Sequence, residues 1–333
     1  MKSLIVKSPG GLENLIITNK ESKSPKENEV KIRWHATSLN YHDYLVGLGA
    51  IPVLNGRIPM SDGAGEIIEI GSEVHKWKTG DKAMSMFFPG WVEGKPELTK
   101  LVGVSGETID GYLVEESCIE ADSITAIPND YSYAEAATLP CAGLTAWNGL
   151  VDTGLLKPGQ TVLIEGSGGM SIFGLQFAKA SGARIIATTS SESKAERLRS
   201  MGCDLVFNYK EDPRWGKSIY KATGGVDLVL DVGGGSTMKQ SIEALKIGGT
   251  VVAIGILSGG RKGELTFPKL FFKFINMHGI AVGSRMMQEQ MVKAININGI
   301  KPIIDKVFSF DQLSDAFRYQ ESGQHFGKIV LEY

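Results

Sequence analysis

The fold is decided by residues Thr161 to Ala183, TVLIEGSGGMSIFGLQFAKASGA. Five residues of β-favouring character, Thr161–Glu165, run into a turn of small residues. Helical spacing follows at Ile172, Leu175, Gln176 and Ala180. Strand, tight turn and helix are typical of a dinucleotide-binding fold, where the turn lets a pyrophosphate approach the helix N-terminus. Glycine-rich turns also end ordinary strands, so this motif indicates a dinucleotide-binding fold only together with the rest of the chain. The predicted coenzyme-binding turn consists of Gly166, Ser167, Gly168, Gly169 and Met170.

The composition limits the classes of protein. A chain of 333 residues is too long for one ordinary core and fits two domains. A net charge of −2 without runs of like charge weighs against a nucleic-acid partner. No segment reaches about 18 consecutive apolar residues and no signal peptide is recognisable, so we expect no membrane span. Cys118, Cys141 and Cys203 show no CxxC spacing, which predicts neither a zinc module nor disulfides and fits a cytoplasmic location.

The order of strand and helix patterns predicts an α/β chain of two domains. Residues 1–130 contain short β-like segments between turns, which predict a mostly antiparallel β domain with a surface loop at 89–105. Over 131–270, after a capping box at Ser132 and Glu135, strands alternate with helices, as in a doubly wound parallel sheet. Residues 271–333 end in a helix and a strand, Gly327–Leu331, that must complete the first domain's sheet.

The end of the second strand of the parallel sheet bears on the choice of coenzyme. A carboxylate there binds the ribose hydroxyls and repels a 2′-phosphate, whereas small polar and basic residues admit it. Here Ser190 and Ser191 follow the strand, and Lys194 and Arg197 come next. The sequence therefore predicts NADPH over NADH, with Glu192 weakening the preference. In the alternative interpretation the serines only cap the next helix and the basic residues lie on its solvated face.

Six segments in chain order resemble the signatures of the medium-chain dehydrogenase/reductase superfamily. They are NYHD (40–43), SDGAG (61–65), LPCAGLTA (139–146), GSGGMS (166–171), DVGG (231–234) and GKIV (327–330). The resemblance implies a GroES-like catalytic domain, 1–130 with 271–333, a Rossmann domain, 131–270, and a nicotinamide in the cleft between them. It also implies coenzyme contacts by Thr145, Ser190, Lys194, Tyr209, Ile254, Gly255, Val282 and Gly283. Tyr209 has the alternative of a packed loop aromatic.

The metal-ligand positions differ from those of zinc-bearing members of that superfamily. The cysteine, histidine and cysteine of those members correspond here to Asn40, Ser61 and Cys141. One soft ligand of three cannot make a catalytic zinc site, so we expect no metal and interpret Cys141 as a small buried residue. The four-cysteine lobe for structural zinc is also missing, because no cysteine precedes Cys118. The chain then resembles the quinone oxidoreductase and enoyl reductase branches, or a metal-lacking alcohol dehydrogenase-like branch.

Without zinc, hydride transfer needs a more easily reduced acceptor or hydrogen-bond donors for the oxyanion. We therefore expect NADPH-dependent reduction of a quinone or an α,β-unsaturated carbonyl. By family position Asn40 is a candidate donor to substrate or nicotinamide, and Tyr41 and His42 are candidate proton donors. A buried structural histidine, with solvent supplying the proton, is the alternative.

Two other functions stay open. One is a metal-independent alcohol dehydrogenase or aldehyde reductase, and the other is an NADPH-binding sensor or structural protein with little turnover. A homodimer is also predicted, because edge strands near residues 254–256 and 265–267 can pair across a two-fold axis.

Overall fold

The computed structural model describes residues 1–258, 263, 265 and 267–333. The chain forms two compact units: unit 1 is Met1–Leu144 with Val282–Tyr333, and unit 2 is Thr145–Ala281. None of the helices in the described ranges is long and apolar enough to cross a membrane.

The strands of the described residues are, in chain order, β1 (Lys2–Val6), β2 (Leu15–Asn19), β3 (Glu29–Ser38), β4 (Ala64–Ile70), β5 (Lys82–Ser85), β6 (Glu116–Glu120), β7 (Ile124–Ala126), β8 (Thr161–Glu165), β9 (Arg184–Thr189), β10 (Leu205–Asn208), β11 (Val226–Asp231), β12 (Leu245–Ala253), β13 (Asn276–Gly279), β14 (Ile304–Ser309) and β15 (Lys328–Glu332).

The α-helices of the same residues are α1 (Tyr41–Gly47), α2 (Leu98–Leu101), α3 (Tyr133–Ala137), α4 (Leu144–Trp147), α5 (Gly169–Ala180), α6 (Glu192–Ser200), α7 (Trp215–Thr223), α8 (Met238–Ala244), α9 (Phe267–Phe272), α10 (Arg285–Asn298) and α11 (Leu313–Glu321). Two π-helical turns, Leu139–Gly143 and Asn148–Asp152, flank α4.

Unit 1 is built on a mixed sheet in the order β14-β15-β3-β4-β5-β7, with β6 also paired to β3. All pairs of this sheet are antiparallel except β14 with β15. The C-terminal strand β15 pairs with β3 in the register Val330 to Ser38, so the prediction that the chain end completes the N-terminal sheet is confirmed. Trp34, Ile67 and Leu331 lie in its buried core.

Unit 2 contains a six-stranded parallel sheet in the order β10-β9-β8-β11-β12-β13. Numbered within the sheet this order is 3-2-1-4-5-6, that of the doubly wound dinucleotide-binding fold. Apolar strands such as Val162–Ile164 are buried on both faces, as parallel strands require. The predicted fold class is therefore confirmed.

The units divide later in the chain than the boundaries predicted after residues 130 and 270. Helix α3 contacts β3, β4 and β15 and so lies in unit 1. After α9, strand β13 pairs with β12 in the register Thr250 to Asn276 and forms the sixth strand of the parallel sheet. The sequence NMHG of β13 has no apolar β-favouring run, so pattern reasoning placed these residues outside the sheet.

One local prediction is confirmed and another needs correction. The capping box of Ser132 and Glu135 starts α3 as predicted. The segment 89–105 is more than a surface loop, because it contains α2 and the buried Trp91.

Candidate active site

The glycine-rich turn joins β8 to α5 and has the geometry that a phosphate-binding turn needs. Gly166 adopts a left-handed φ of +77°, and its N–H donates to the carbonyl of Thr188 over 3.0 Å. Gly168 is the N-cap of α5 and offers no side chain to the N–H groups of the first helical turn. Ser171 Oγ donates to the carbonyl of Glu165 over 2.6 Å and so ties the helix to the strand end. The free N–H groups at this helix start are suited to bind an anion.

The residues predicted around a 2′-phosphate come together at the ends of β9 and β10. The N–H of Tyr209 donates to the carbonyl of Thr189 over 3.0 Å, which places Tyr209 beside Ser190. Tyr209 is 42% exposed, so it is not a packed loop aromatic. Ser191 is the N-cap of α6 and accepts from the N–H of Lys194 over 3.4 Å. The capping alternative is therefore correct for Ser191, while Ser190 precedes the cap and is half-buried.

Glu192, the acid that follows Ser190 and Ser191, forms an ion pair within its own helix. Glu192 Oε1 accepts from Arg199 Nη1 over 2.5 Å on the same helix. This ion pair offsets the negative charge that would repel a 2′-phosphate.

Asn40 is the N-cap of α1 and lies in a buried polar network of unit 1. Its Nδ2 donates to Asp62 Oδ2 over 2.8 Å and has Asp43 Oδ2 and Ser61 Oγ at 3.2 Å each. Its Oδ1 accepts from Lys328 Nζ over 2.7 Å. An amide has two hydrogens, and three acceptors already surround them. The expectation that Asn40 donates to substrate or nicotinamide therefore needs correction.

Two residues of this network were missed by sequence reasoning. Asp62 is fully buried, and burial raises the pKa of its carboxyl to about 6, although the charge of Lys328 opposes that shift. Lys328 Nζ also donates to the carbonyl of Leu39 over 2.7 Å and lies 3.6 Å from Asp62 Oδ2. One ammonium thus serves a network that contains two carboxylates, Asp43 and Asp62. The sequence does not show that Asp62 and Lys328 are buried close together, because their proximity depends on the pairing of β15 with β3.

Tyr41 and His42 lie on the first turn of α1 and are both half-buried. His42 Nε2 is 2.7 Å from Glu107 Oε2, and its Nδ1 is 3.7 Å from Asp43 Oδ1. Burial alone would lower the pKa of His42, but the two carboxylates together raise it to about 9. The imidazole is therefore protonated at neutral pH, as a proton donor must be.

Comparison with known proteins places this geometry in a family. Residues 26–129 match the family model described as "Alcohol dehydrogenase GroES-like domain", and residues 169–296 match "Zinc-binding dehydrogenase". The zinc-type alcohol dehydrogenase-like protein C1773.06c of Schizosaccharomyces pombe is 39% identical over 313 residues, which are 91% of this chain and 90% of that protein. The chain belongs to the medium-chain dehydrogenase/reductase superfamily.

Two further comparisons agree with this assignment to the superfamily. The 2-methylene-furan-3-one reductase of Solanum lycopersicum is 30% identical over 92% of this chain and 72% of its own. A solved NAD-dependent alcohol dehydrogenase superposes with a TM-score of 0.92 at 29% identity and covers 100% of both chains. As a member of the medium-chain dehydrogenase/reductase superfamily, this chain is an NAD(P)-dependent oxidoreductase with a GroES-like domain and a Rossmann-like sheet.

The residues at the metal-ligand positions of the superfamily do not fit a catalytic zinc. Ser61 Oγ donates to Asp43 Oδ2 over 3.1 Å and accepts from Asn40. The Ser61 hydroxyl and the Asn40 amide are therefore both engaged in hydrogen bonds within the protein. Cys141 is half-buried, not buried as predicted. Across the described ranges, no group of three His, Cys, Asp or Glu side chains is placed to hold a metal ion. Catalytic zinc needs three protein ligands, and this set supplies one soft ligand.

The remaining coenzyme residues implied by superfamily membership are distributed over both units. Thr145, Ile254 and Gly255 lie in unit 2, and Val282 and Gly283 lie in unit 1. Gly255 has no room for a side chain, because a Cβ would lie 2.8 Å from the carbonyl oxygen of Val232.

Val282 is buried and has a φ of +50°, a conformation that β-branched residues rarely adopt. Such strain is concentrated at functional sites. The strain supports a functional role for the Val282–Gly283 segment.

A pair of acids beneath the glycine turn was also missed. Glu165 ends β8 and Asp231 ends β11, and their side chains meet at the hydroxyl of Ser241. Burial, and then the charge of Asp231, raises the pKa of Glu165 to about 8, and burial raises the pKa of Asp231 as well. A signal was present in the sequence, since each acid directly follows three apolar residues at the end of a strand, in TVLIE and VDLVLD.

Proposed function

We propose that this protein is an NADPH-dependent, zinc-independent reductase of a quinone or an α,β-unsaturated carbonyl. The observation that carries the proposal is the network of Asn40, Ser61, Asp43, Asp62 and Lys328, which occupies the positions of a metal site with groups that bind one another. Without a Lewis acid, only hydrogen-bond donors can polarise a simple carbonyl for hydride attack. A conjugated acceptor depends less on such help, because the negative charge that hydride transfer leaves on it is delocalised over an enolate.

The coenzyme would be held by unit 2 through two clusters. The turn from Gly166 to Met170, with the start of α5, binds the pyrophosphate, and the bound coenzyme supplies the hydride. Ser190, Lys194 and Tyr209 bind the 2′-phosphate. The ion pair between Glu192 and Arg199 supports the preference for NADPH, because it compensates the charge of the acid next to Ser190 and Ser191.

The proton that completes the reduction would come from His42. Its imidazolium is stabilised by Glu107 at 2.7 Å and by Asp43, and its side chain is 19% exposed, so it can be reprotonated by solvent. Tyr41, one residue earlier on α1, is the second candidate donor. Asn40 acts as a positioning residue, since it caps the helix that carries both candidates.

The tomato relative supports the class of substrate. Its name describes a methylene group conjugated to a ketone, which is an activated C=C bond. The test is NADPH oxidation by the metal-stripped protein with a 1,4-quinone, an enone and an aldehyde. Turnover with the quinone or enone at undiminished rate after chelation is expected. Activity that appears only with added zinc would overturn the proposal.

A second candidate is the reversible oxidation of an alcohol, or reduction of an aldehyde, without metal. The names of the fission-yeast relative and of the solved NAD-dependent alcohol dehydrogenase favour an alcohol or aldehyde as the substrate, and they say nothing in favour of the absence of metal. Turnover with the aldehyde and none with the enone would select this activity. Tight binding of NADPH with no turnover on any of the three would select a sensor or structural role.

We also propose a homodimer formed at the edge of the parallel sheet. Of the two segments predicted to pair, residues 254–256 form no strand, Thr266 lies outside the described residues, and Phe267 begins α9. The edge strand is instead β13, whose four residues are all exposed, next to the exposed rings of Phe271, Phe272 and Phe274. Sedimentation should give twice the mass of the chain, and Met277→Lys on β13 should shift it to the monomer. Monomeric wild-type protein would contradict the proposal.

We infer a reducing compartment, such as the cytoplasm, as the place of action, because Cys118, Cys141 and Cys203 form no disulfide. Cell fractionation would test it.

A further inference from the structure

The carboxyl groups of Glu165 and Asp231 both contact one serine hydroxyl in the interior of unit 2. Ser241 Oγ lies 2.6 Å from Glu165 Oε1 and 2.7 Å from Asp231 Oδ2. Glu165 is 4% exposed, and Asp231 and Ser241 are fully buried. A carbonyl, that of Thr237, is a third acceptor at 3.3 Å.

Counting hydrogens shows that these contacts need an additional proton. A hydroxyl carries one hydrogen, so Ser241 can donate to only one of the two carboxyl oxygens. The other oxygen, at hydrogen-bond distance, must itself carry a hydrogen and donate to Ser241 Oγ. If both carboxyl groups were ionised, Ser241 could donate to only one of them. The other short contact would then bring lone pairs of two oxygens together in a buried site, which is repulsive. The geometry therefore fits one negative charge and one proton over the pair.

The surroundings do not supply a compensating cation. The other groups beside Asp231 are the N–H of Gly234 and the hydroxyl of Thr237, at 2.8 and 2.9 Å from its Oδ1. Glu165 Oε2 is buried and has no hydrogen-bond partner among the described residues. Within the described part of the chain, no lysine, arginine or histidine forms an ion pair with either acid. Burial and mutual repulsion both favour retention of a proton, which agrees with the raised pKa of both groups.

The position of the pair links it to the coenzyme. Strands β8 and β11 are the neighbours at which the strand order of the sheet reverses, and ligands of such sheets bind at the carboxyl ends of these strands. Glu165 directly precedes Gly166, the first residue of the predicted pyrophosphate turn. The proton shared by the pair therefore lies beneath the place where an anion is expected to bind.

We propose that Glu165 and Asp231 hold one proton in common through Ser241, and that this proton is required for tight binding of the anionic coenzyme. When the proton leaves to solvent at alkaline pH, a second buried negative charge appears beneath the turn and repels the pyrophosphate. The inference rests on the proposed function in that NADPH is taken as the ligand. The shared proton itself is a property of the free protein.

The first experiment detects that proton without any coenzyme. Infrared spectra of the free protein at pH 7 should contain the C=O band of a protonated carboxyl, shifted in D₂O, that is missing from Glu165→Gln and fades in the wild type by pH 9. The matched control is Glu243→Gln on α8, an acid two residues after Ser241 that is paired with Lys269, which should keep the band. An identical spectrum for Glu165→Gln and wild type would overturn the proposal. Should Glu165→Gln fail to fold, Asp231→Asn makes the same test from the other acid.

The second experiment measures the dissociation constant of NADPH by fluorescence between pH 7 and 9. The wild type and Glu243→Gln should bind about fivefold to tenfold more weakly at pH 9, while Glu165→Gln should show a flat profile over this range. A wild-type dissociation constant that does not change between pH 7 and 9 would show that the proton does not affect coenzyme binding. That result would overturn this part of the proposal. Absence of NADPH binding by the wild type at pH 7 would instead overturn the proposed function, and the infrared result would still decide the presence of the proton.

Discussion

Lys328 Nζ donates to Asn40 Oδ1 over 2.7 Å, although the two residues are 288 positions apart in the chain. The contact joins the C-terminal strand β15 to the N-cap of the helix that carries Tyr41 and His42. It also brings the ammonium to within 3.6 Å of the buried carboxylate of Asp62. A single side chain thus fixes the start of α1 and compensates charge in the core of unit 1.

Replacing this lysine should strongly destabilise the protein. In Lys328→Met the carboxylate of Asp62 would stay buried without its cation, which costs about 3–5 kcal/mol. Urea unfolding followed by fluorescence would measure the loss. Lys293→Met, which removes an exposed lysine on α10, should change stability by no more than about 0.5 kcal/mol. Equal effects of the two substitutions would show that the network is not held by Lys328.

Glu107 should set the pH range of the reductase activity. Asp43 and Glu107 raise the pKa of His42 to about 9, so the proton donor is charged up to that pH. In Glu107→Gln that pKa should fall, and the rate at pH 9 should drop by about fivefold more than the rate at pH 6. The measurement is kcat/KM for an enone across this range. An unchanged alkaline limb would exclude His42 as the proton donor.

The same substitution has a stability consequence of definite sign. A histidine whose pKa is raised on folding stabilises the protein fully below its unfolded pKa of 6.5 and loses that contribution as pH rises through about 9. Glu107→Gln should therefore lower the free energy of unfolding at pH 6 and have a smaller effect at pH 10.

Lys194 should discriminate between the two nicotinamide coenzymes. If it binds a 2′-phosphate with Ser190 and Tyr209, Lys194→Ala should raise the KM for NADPH by about tenfold and leave that for NADH unchanged. Steady-state kinetics with both coenzymes would measure it. Lys210→Ala, an exposed lysine of the same unit, is the control. A parallel change for NADH would show that Lys194 acts on the fold and not on the phosphate.

Gly166 should be needed for coenzyme binding as well as for the turn. Its φ of +77° predicts a cost of about 1 kcal/mol for Gly166→Ala. Gly159 has a similar φ of +81° and equally open surroundings, so Gly159→Ala should cost about the same stability. Only Gly166→Ala should weaken NADPH binding, which calorimetry can measure. Equal coenzyme affinity of the two variants would show that the phosphates of NADPH do not bind at the Gly166 turn.

Local signals in the sequence were sufficient for most of the fold. The strand, turn and helix of Thr161–Ala180 are as predicted, because apolar strand, glycine turn and helical spacing all agree there. Strand β13 was missed because its exposed edge position demands no apolar pattern. Helix α10 was not predicted either, although Ser284 caps its start and Gly299 ends it.

Among the predicted site residues, sequence reasoning grouped some that strand pairing brings together and misjudged those whose partners are distant in sequence. Ser190 and Tyr209 were expected to be neighbours, and the pairing of β9 with β10 brings them together. The occupied amide of Asn40 could not be foreseen, since its partners Asp62 and Lys328 reach it through the packing of β15 on β3. Likewise, Glu165 and Asp231 meet only because β8 and β11 are adjacent in the sheet.

The place of β15 in the middle of the unit 1 sheet, between β14 and β3, has a consequence for synthesis on the ribosome. The nascent chain can pair β3 with β4 and β6 early and can assemble the parallel sheet of unit 2 once Gly279 has emerged, whereas β15 can join β3 only after the residues around Glu332 have emerged. The sheet of unit 1 is therefore completed after that of unit 2, although most of its strands are made first.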